Sequence, residues 1–359
     1  MRRLYDSQFH EFGPRGGEGA AGPAHLRHHG GLMRARLAAR LAVTPDQYRK
    51  VAYIALAALM LIVLTGAAVR LTGSGLGCPT WPRCYGKVLP PIQTHALIEF
   101  SNRALSGFVG VITVIAAVLA FTRKPFRRDL AWLACSLPLG VVAQAVLGGF
   151  TVREKLAPGF VMAHFGLSMI ILIAAVALAW RASHERGWRP RVTDRPSVWA
   201  VRMLAPLGAL TIFAGTAATA AGPHSGGAVG QHIKRLDFKG ADTLNWVVHQ
   251  HAAIAALFGA WAVATWLWLR HRGAAERSLE PLTVVCILIA AQGLVGSVQY
   301  ELHLPADMVW VHVLLATATW VAVLWSVAVM GRLAPSARRV RALDGAPRSG
   351  RAERELIAR

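Results

Sequence analysis

Acidic residues are scarce in this chain: 18 Asp and Glu stand against 39 Lys and Arg, a formal net charge of +21 over 359 residues. In a soluble protein that imbalance would point to nucleic acid. Here the basic residues sit in short stretches between long apolar blocks and toward both ends, which is a topology signal of membrane proteins, so no nucleic-acid partner is expected. Cysteine is equally sparse, with four in all. Cys135 and Cys286 lie alone inside apolar blocks and read as packing residues. Cys78 and Cys84 lie together, but without the further Cys or paired His of a zinc set. The first 50 residues are basic and Gly-rich and lack an apolar core, so no cleavable leader is expected. Polar breaks in the middle of the apolar blocks, the mark of many transporters, are missing too, which makes a duplicated transporter the weakest reading.

What is abundant is apolar sequence, at 54% of residues. It comes in blocks long enough to cross a bilayer: 51–69, 96–121, 130–150, 160–180, 199–221, 246–269, 282–300 and 308–330. The expected fold is an all-α integral membrane protein of eight transmembrane helices, arranged as two tandem pseudo-symmetric four-helix bundles. The segments 1–48, 122–129, 181–202, 270–281 and the last residues carry 30 of the 39 Lys and Arg if Arg49 and Lys50 are counted with the first tail, and the other side carries 9. Both termini are therefore expected in the cytoplasm, in a multi-pass protein of the cell membrane. The expected organisation is an unstructured basic tail over 1–48, a first half over 49–183, a cytoplasmic linker over 184–198, a second half over 199–331 and a second basic tail over 332–359.

The halves repeat. Gln144-Ala-Val-Leu-Gly-Gly matches Gln292-Gly-Leu-Val-Gly-Ser, and each Gln precedes a histidine by 20 residues: His164 in MAHFGLS and His312 in WVHVLLA. Gly66 matches Gly215 at an offset of 149. Four spans per unit preserve orientation, so the units should be related by an axis along the membrane normal.

Ionisable groups in apolar spans read as functional. His164 and His312 stand near the outer ends of spans four and eight, and span six offers His249 and His251 in WVVHQHAAIAAL. Facing helices of a bundle can give two axial imidazoles to one haem iron. The pair expected in the second half joins span six to His312, with the repeat favouring His251 over His249. At the position equivalent to His251 the first half has Asn102, a poor iron ligand, which leaves His164 with an open place opposite it. Glu99 and Arg103, spaced i,i+4 in IEFSNRALSG, are either an internal ion pair or a proton-handling carboxylate beside a cation that could hold a propionate. Arg70 and Arg153 are further propionate candidates. On the oxidising side, Cys78 and Cys84 read as a disulfide, either a loop staple or a redox-active pair. The second half has only His224 and His232 in the corresponding loop.

These pieces resemble the haem A synthase family, in the branch with Asn in the E-x-x-N-R motif: TGAAVRLTGSGLGCPTWPRCYGKVLPP, IEFSNRALSG, QAVLGGFTV, MAHFGLS, HQHAAIAAL and WVHVLLATAT, over roughly residues 51–330. The resemblance implies an oxidoreductase that converts the C8 methyl of haem O to a formyl group with water-derived oxygen, giving haem A for cytochrome oxidase. It implies haem b between His251 and His312. The substrate haem would lie beside His164 and Glu99, with Asn102 and Arg103 in the same catalytic group. Partners it suggests are the haem O-forming farnesyltransferase, an electron acceptor such as a quinone, the lipid bilayer and a second copy of the chain. The competing reading is a non-catalytic dihaem b-type cytochrome taking electrons from quinol.

Overall fold

The computed structural model describes residues 42–184, 191–192 and 194–333. Most of both expected tails and part of the expected linker lie outside these residues. Eight long helices account for about three quarters of the described chain: α1 Pro45–Leu71, α2 Thr94–Thr122, α3 Arg128–Arg153, α4 Pro158–Ala182, α5 Arg195–Ala221, α6 Thr243–His271, α7 Glu276–Glu301 and α8 Ala306–Val329. Each is long and apolar enough to cross a membrane. A two-residue parallel pair, Arg191–Val192 with Arg332–Leu333, is the remaining regular element beside one short 3₁₀ turn.

The helices outrun the apolar blocks. α1 begins at Pro45, six residues before its block. Thr44 caps it by accepting from Gln47 N while the Gln47 side chain accepts from Thr44 N, and Pro45 occupies the first turn. Hydropathy falls where charge begins, whereas helical hydrogen bonding continues until a cap stops it. The C-terminal end of α4 is closed differently: Arg127 donates to Arg181 O at 2.9 Å and His184 O at 2.5 Å, placing a cation on the orphan carbonyls of a helix C-terminus.

The repeat is built into the element lengths. α1 and α5 both have 27 residues, α2 and α6 both 29, and α3 and α7 both 26. In the first half, neighbours form a ring α1–α2–α3–α4 that closes on α1, and in the second the ring α5–α6–α7–α8 closes on α5. α2 and α4 therefore sit diagonally across one bundle, and α6 and α8 across the other. Each bundle has its own core, one holding Leu56, Leu130 and Leu172, the other Val198, Leu204 and Leu282. Large apolar side chains such as Phe108, Trp132, Phe213 and Leu294 are exposed on the outside, which suits a lipid solvent and no aqueous one.

The halves meet along α1, α4, α5 and α8. Without a hydrophobic drive between helices in lipid, polar contacts and close packing hold such a seam. Trp310 donates to Leu64 O and Trp320 to Met169 O, both at 3.0 Å. Arg70, at the end of α1, donates to Thr219 O at 2.8 Å and to His224 O, capping the last turn of α5.

Candidate functional site

The loop between α1 and α2 explains its own glycines. Gly73 has φ +67°, and a Cβ there would lie 2.8 Å from Gly227 O. At Gly75 it would lie 2.9 Å from Gly226 O, and at Gly77 it would collide with His95 O. Gly73 and Gly75 thus press the backbone against the loop between α5 and α6, joined by Gly75 N donating to Gly226 O at 2.8 Å, while Gly77 presses against the start of α2. Immediately after it, Cys78 and Cys84 form a disulfide, buried against Ala96 and Phe100.

Glu99 and Arg103 hold that loop down. Glu99 Oε2 accepts from Cys78 N at 2.7 Å, and Oε1 accepts from Arg103 Nη2 at 2.5 Å and Nε at 3.1 Å. Arg103 also donates to Cys78 O and Thr80 O at 2.9 Å each. The carboxylate is buried, so it is oriented as well as neutralised. The structure brings Glu99, Arg103 and the cysteine pair into one unit, an association the sequence spacing did not reveal.

In the second half, His251 of α6 faces His312 of α8 across the bundle. Their ring centroids are 6.2 Å apart, at an interplanar angle of 77°. Metal–imidazole bonds of about 2 Å, plus about 1 Å from each nitrogen to its ring centre, separate two axial imidazoles by about 6 Å, so the pair fits one iron. His251 Nδ1 lies 3.1 Å from Thr211 O, which assigns its proton to that nitrogen and leaves Nε2 as the ligating atom. Two glycines make room: a Cβ at Gly215 would lie 3.0 Å from His251 Cε1, and one at Gly296 would lie 3.2 Å from His312 Cε1. His249, two residues from His251, projects from a different face of the helix. It is exposed, bonded to Asn245 O at 2.7 Å and set edge-on to Tyr300. The structure does not bring it to His312.

The first half repeats half of this arrangement. Gly148 lies under His164 as Gly296 lies under His312, with a Cβ 3.3 Å from His164 Cε1. Gly66, the counterpart of Gly215, would meet nothing within 4 Å, because Asn102 stands where the other half has an imidazole. Asn102 Oδ1 and His164 Nδ1 are buried without a hydrogen-bond partner among the described residues, and buried polar atoms of that kind call for a ligand or water. Where α3 ends, this half has a cavity of about 830 Å³ lined by Trp81, Val146, Phe150, Arg153 and Lys155, with Ile233 contributed by the second half. Its size falls in the range of small-molecule and cofactor sites.

The described residues contain no cluster of three or more His, Cys, Asp and Glu able to hold a bare metal ion, whereas a haem needs only one or two axial ligands. The family model for COX15-CtaA, described as cytochrome oxidase assembly protein, matches residues 49–229. The chain belongs to the COX15-CtaA family. Among COX15-CtaA relatives, a heme A synthase of Alkalihalophilus pseudofirmus is 33% identical over 139 residues, 37% of this chain and 47% of that protein. The heme A synthase of Halalkalibacterium halodurans is 34% identical over 129 residues, 35% and 43% of the two chains. That of Bacillus licheniformis is 31% identical over 122 residues, 34% and 40%. The matched stretch spans less than half the length of these relatives.

Within this COX15-CtaA chain the propionate candidates separate. Arg70 is engaged with carbonyls of the second half and Arg103 with the cysteine loop, while Arg153 reaches the cavity. Sequence reasoning assigned no role to Gln144, Gln292, Gly148 or Gly296. Their signal was present in the Q-x-x-x-G repeat, whose members turn out to lie one helix away from His164 and His312.

Proposed function

We propose that this protein is a haem A synthase of the branch with Asn in E-x-x-N-R, oxidising the C8 methyl of haem O to the formyl of haem A. The observation that carries this reading is the asymmetry of the two diagonals. His251 and His312 stand at the spacing of two axial ligands, while the equivalent place in the first half pairs His164 with Asn102 and open space at Gly66. Two strong ligands suit a resident electron carrier, and one ligand suits a substrate that must enter and leave.

A haem b held by His251 and His312 would supply one-electron oxidation. Turning a methyl into a formyl group consumes one water and releases four protons and four electrons, so an acceptor such as a quinone must drain the second half. The chain's own residues supply position and charge. His164 holds the substrate, and the basic edge of Arg153 and Lys155 receives its propionates. Glu99, oriented by Cys78 N and Arg103, stabilises positive charge or takes a proton beside the reacting carbon. The disulfide keeps the loop that carries this contact closed. The proposed organisation has halves at 49–183 and 199–331 and both termini on the cytoplasmic side. The haem O-forming farnesyltransferase and a second copy of the chain are the proposed partners.

The test is to purify the protein from membranes of cells that also make haem O, extract its haems in acidified solvent and separate them by chromatography. Haem B together with haem O, haem A or a hydroxylated intermediate is expected. Haem B alone would replace this reading with an electron-transfer cytochrome, and an intact preparation without haem would overturn both.

A further inference from the structure

The two halves differ at one position beside their histidines, and a side chain from another segment fills the difference. Gly148 and Gly149 of α3 are the counterparts of Gly296 and Ser297 of α7 at an offset of 148. The first member of each pair backs an imidazole, Gly148 that of His164 and Gly296 that of His312. The second members part company. A Cβ at Gly149 would lie 3.0 Å from Trp81 Cδ2, 3.1 Å from Cε3 and 3.4 Å from Cε2, three contiguous atoms of the indole, so the ring is seated on bare backbone. Ser297 is exposed and turns its hydroxyl back to Gly293 O at 2.9 Å, and residues 222–242, which join α5 to α6, contain no tryptophan. Consecutive helical residues project about 100° apart, so in the first half alone an imidazole and an indole lie against neighbouring faces of one helical turn.

Trp81 is also held from its other side. Arg103 Nη1 donates to Thr80 O at 2.9 Å and Pro82 O at 3.4 Å, the carbonyls before and after it, and Arg103 Nη2 donates to Cys78 O at 2.9 Å. Thr80 Oγ1 donates to Arg83 O at 2.6 Å and accepts from Gly86 N at 3.1 Å, and the Cys78–Cys84 bridge closes the segment. A tryptophan that is 45% exposed has little burial of its own to fix it. The fastening serves where the ring stands, in the wall of the cavity that Arg153 and Lys155 also line.

We propose that Trp81 is a specificity-determining residue of the first-half site, its indole being the face on which the edge of the substrate haem rests with its propionates at Arg153 and Lys155. The proposal rests on the haem reading above. A ring lying against an aromatic macrocycle contributes both buried apolar area and offset stacking. The Glu99–Arg103–cysteine unit then also acts on the substrate through Trp81.

The experiment uses the full chain, purified from membranes of cells that also make haem O. Transfer of its haems to excess apomyoglobin is followed with time, and the haem left on the protein is separated by chromatography into haem B and the haem O-derived species. Relative to wild type, Trp81→Ala is expected to release the haem O-derived species about tenfold faster, the equivalent of about 1.4 kcal/mol, with release of haem B unchanged. Trp81→Phe keeps a ring and recovers most of the retention. Gly149→Ser installs the second half's residue, displaces the indole without removing it and gives a smaller loss of the same kind; it carries the test if Trp81→Ala does not fold. Release at the wild-type rate from both Trp81→Ala and Gly149→Ser would overturn the role of Trp81. So would equal loss of both haems, a Trp81→Phe no better than Trp81→Ala, or a loss confined to variants whose Cys78–Cys84 bridge has become open to a phosphine. Wild type holding haem B alone would overturn the haem reading itself.

Discussion

Adding one methyl group at Gly215 and one at Gly66 is the same change at two counterpart positions, and the structure assigns them opposite consequences. In a helix interior Gly→Ala removes chain freedom from the unfolded state and gains about 0.4–1 kcal/mol where the site has room. Gly66 has room: a Cβ there meets nothing within 4 Å. At Gly215 the Cβ would stand 3.0 Å from His251 Cε1 and 3.4 Å from Nδ1, so the imidazole must retreat by a few tenths of an ångström. Overpacking of that kind costs about 1–3 kcal/mol, which offsets the gain in chain entropy. The retreat also acts on the bond to Thr211 O and on the 6.2 Å spacing to His312. Gly215→Ala should weaken or split the low-spin α-band of the reduced protein and lower its midpoint of thermal unfolding. Gly66→Ala should keep the band and unfold at the wild-type temperature or slightly above. Parallel spectra and melting curves on the two variants decide it. Equal behaviour would refute the claim that the two cradles differ in what fills them.

Three further outcomes are expected. His249→Ala should retain the low-spin spectrum that His251→Ala loses, read as the reduced α-band per mole of protein. Removing either Glu99 or Arg103 leaves a buried charge without its partner, a loss of about 3–5 kcal/mol. The double replacement should therefore cost far less than the sum of the singles in denaturation, and each single should speed reduction of Cys78–Cys84 by a membrane-impermeant phosphine. Trp310→Phe and Trp320→Phe each remove one hydrogen bond across the seam and should each destabilise by about 1 kcal/mol, additively in a double variant because they bond to different helices.

The eight spans, the duplication and the His251–His312 diagonal were legible in the sequence because each depends on a period. Apolar length reports a bilayer crossing, and a fixed offset of 148–149 carries a residue from one bundle to its place in the other. Contacts that cross between unlike segments were not legible. Nothing in the order of residues says that Gly73 and Gly75 are small because Gly226 and Gly227 pass over them, or that Arg70 serves the end of α5. Glu99 was read beside Arg103 because both lie on one helix, but its second partner, Cys78 N, comes from a loop 21 residues earlier and only the fold supplies it. The Gln144 and Gln292 repeat was visible as a pattern without a meaning, since the histidine carbonyls that the two amides meet lie on neighbouring helices.

The seating of Gly73 and Gly75 on the loop between α5 and α6 has a consequence for how the protein came to be indivisible. Two copies of an ancestral four-helix unit would begin as equivalent tenants of the membrane, each complete. Here the sister unit's loop supplies Ile233 to the wall of the first unit's cavity and Gly226 to the backbone beneath its cysteine loop. One copy has become architecture for the other. Expressed as separate polypeptides, the second unit would retain both members of its imidazole pair, whereas the first would lose part of its chamber wall. Specialisation after duplication has left the halves unequal in what each can forgo.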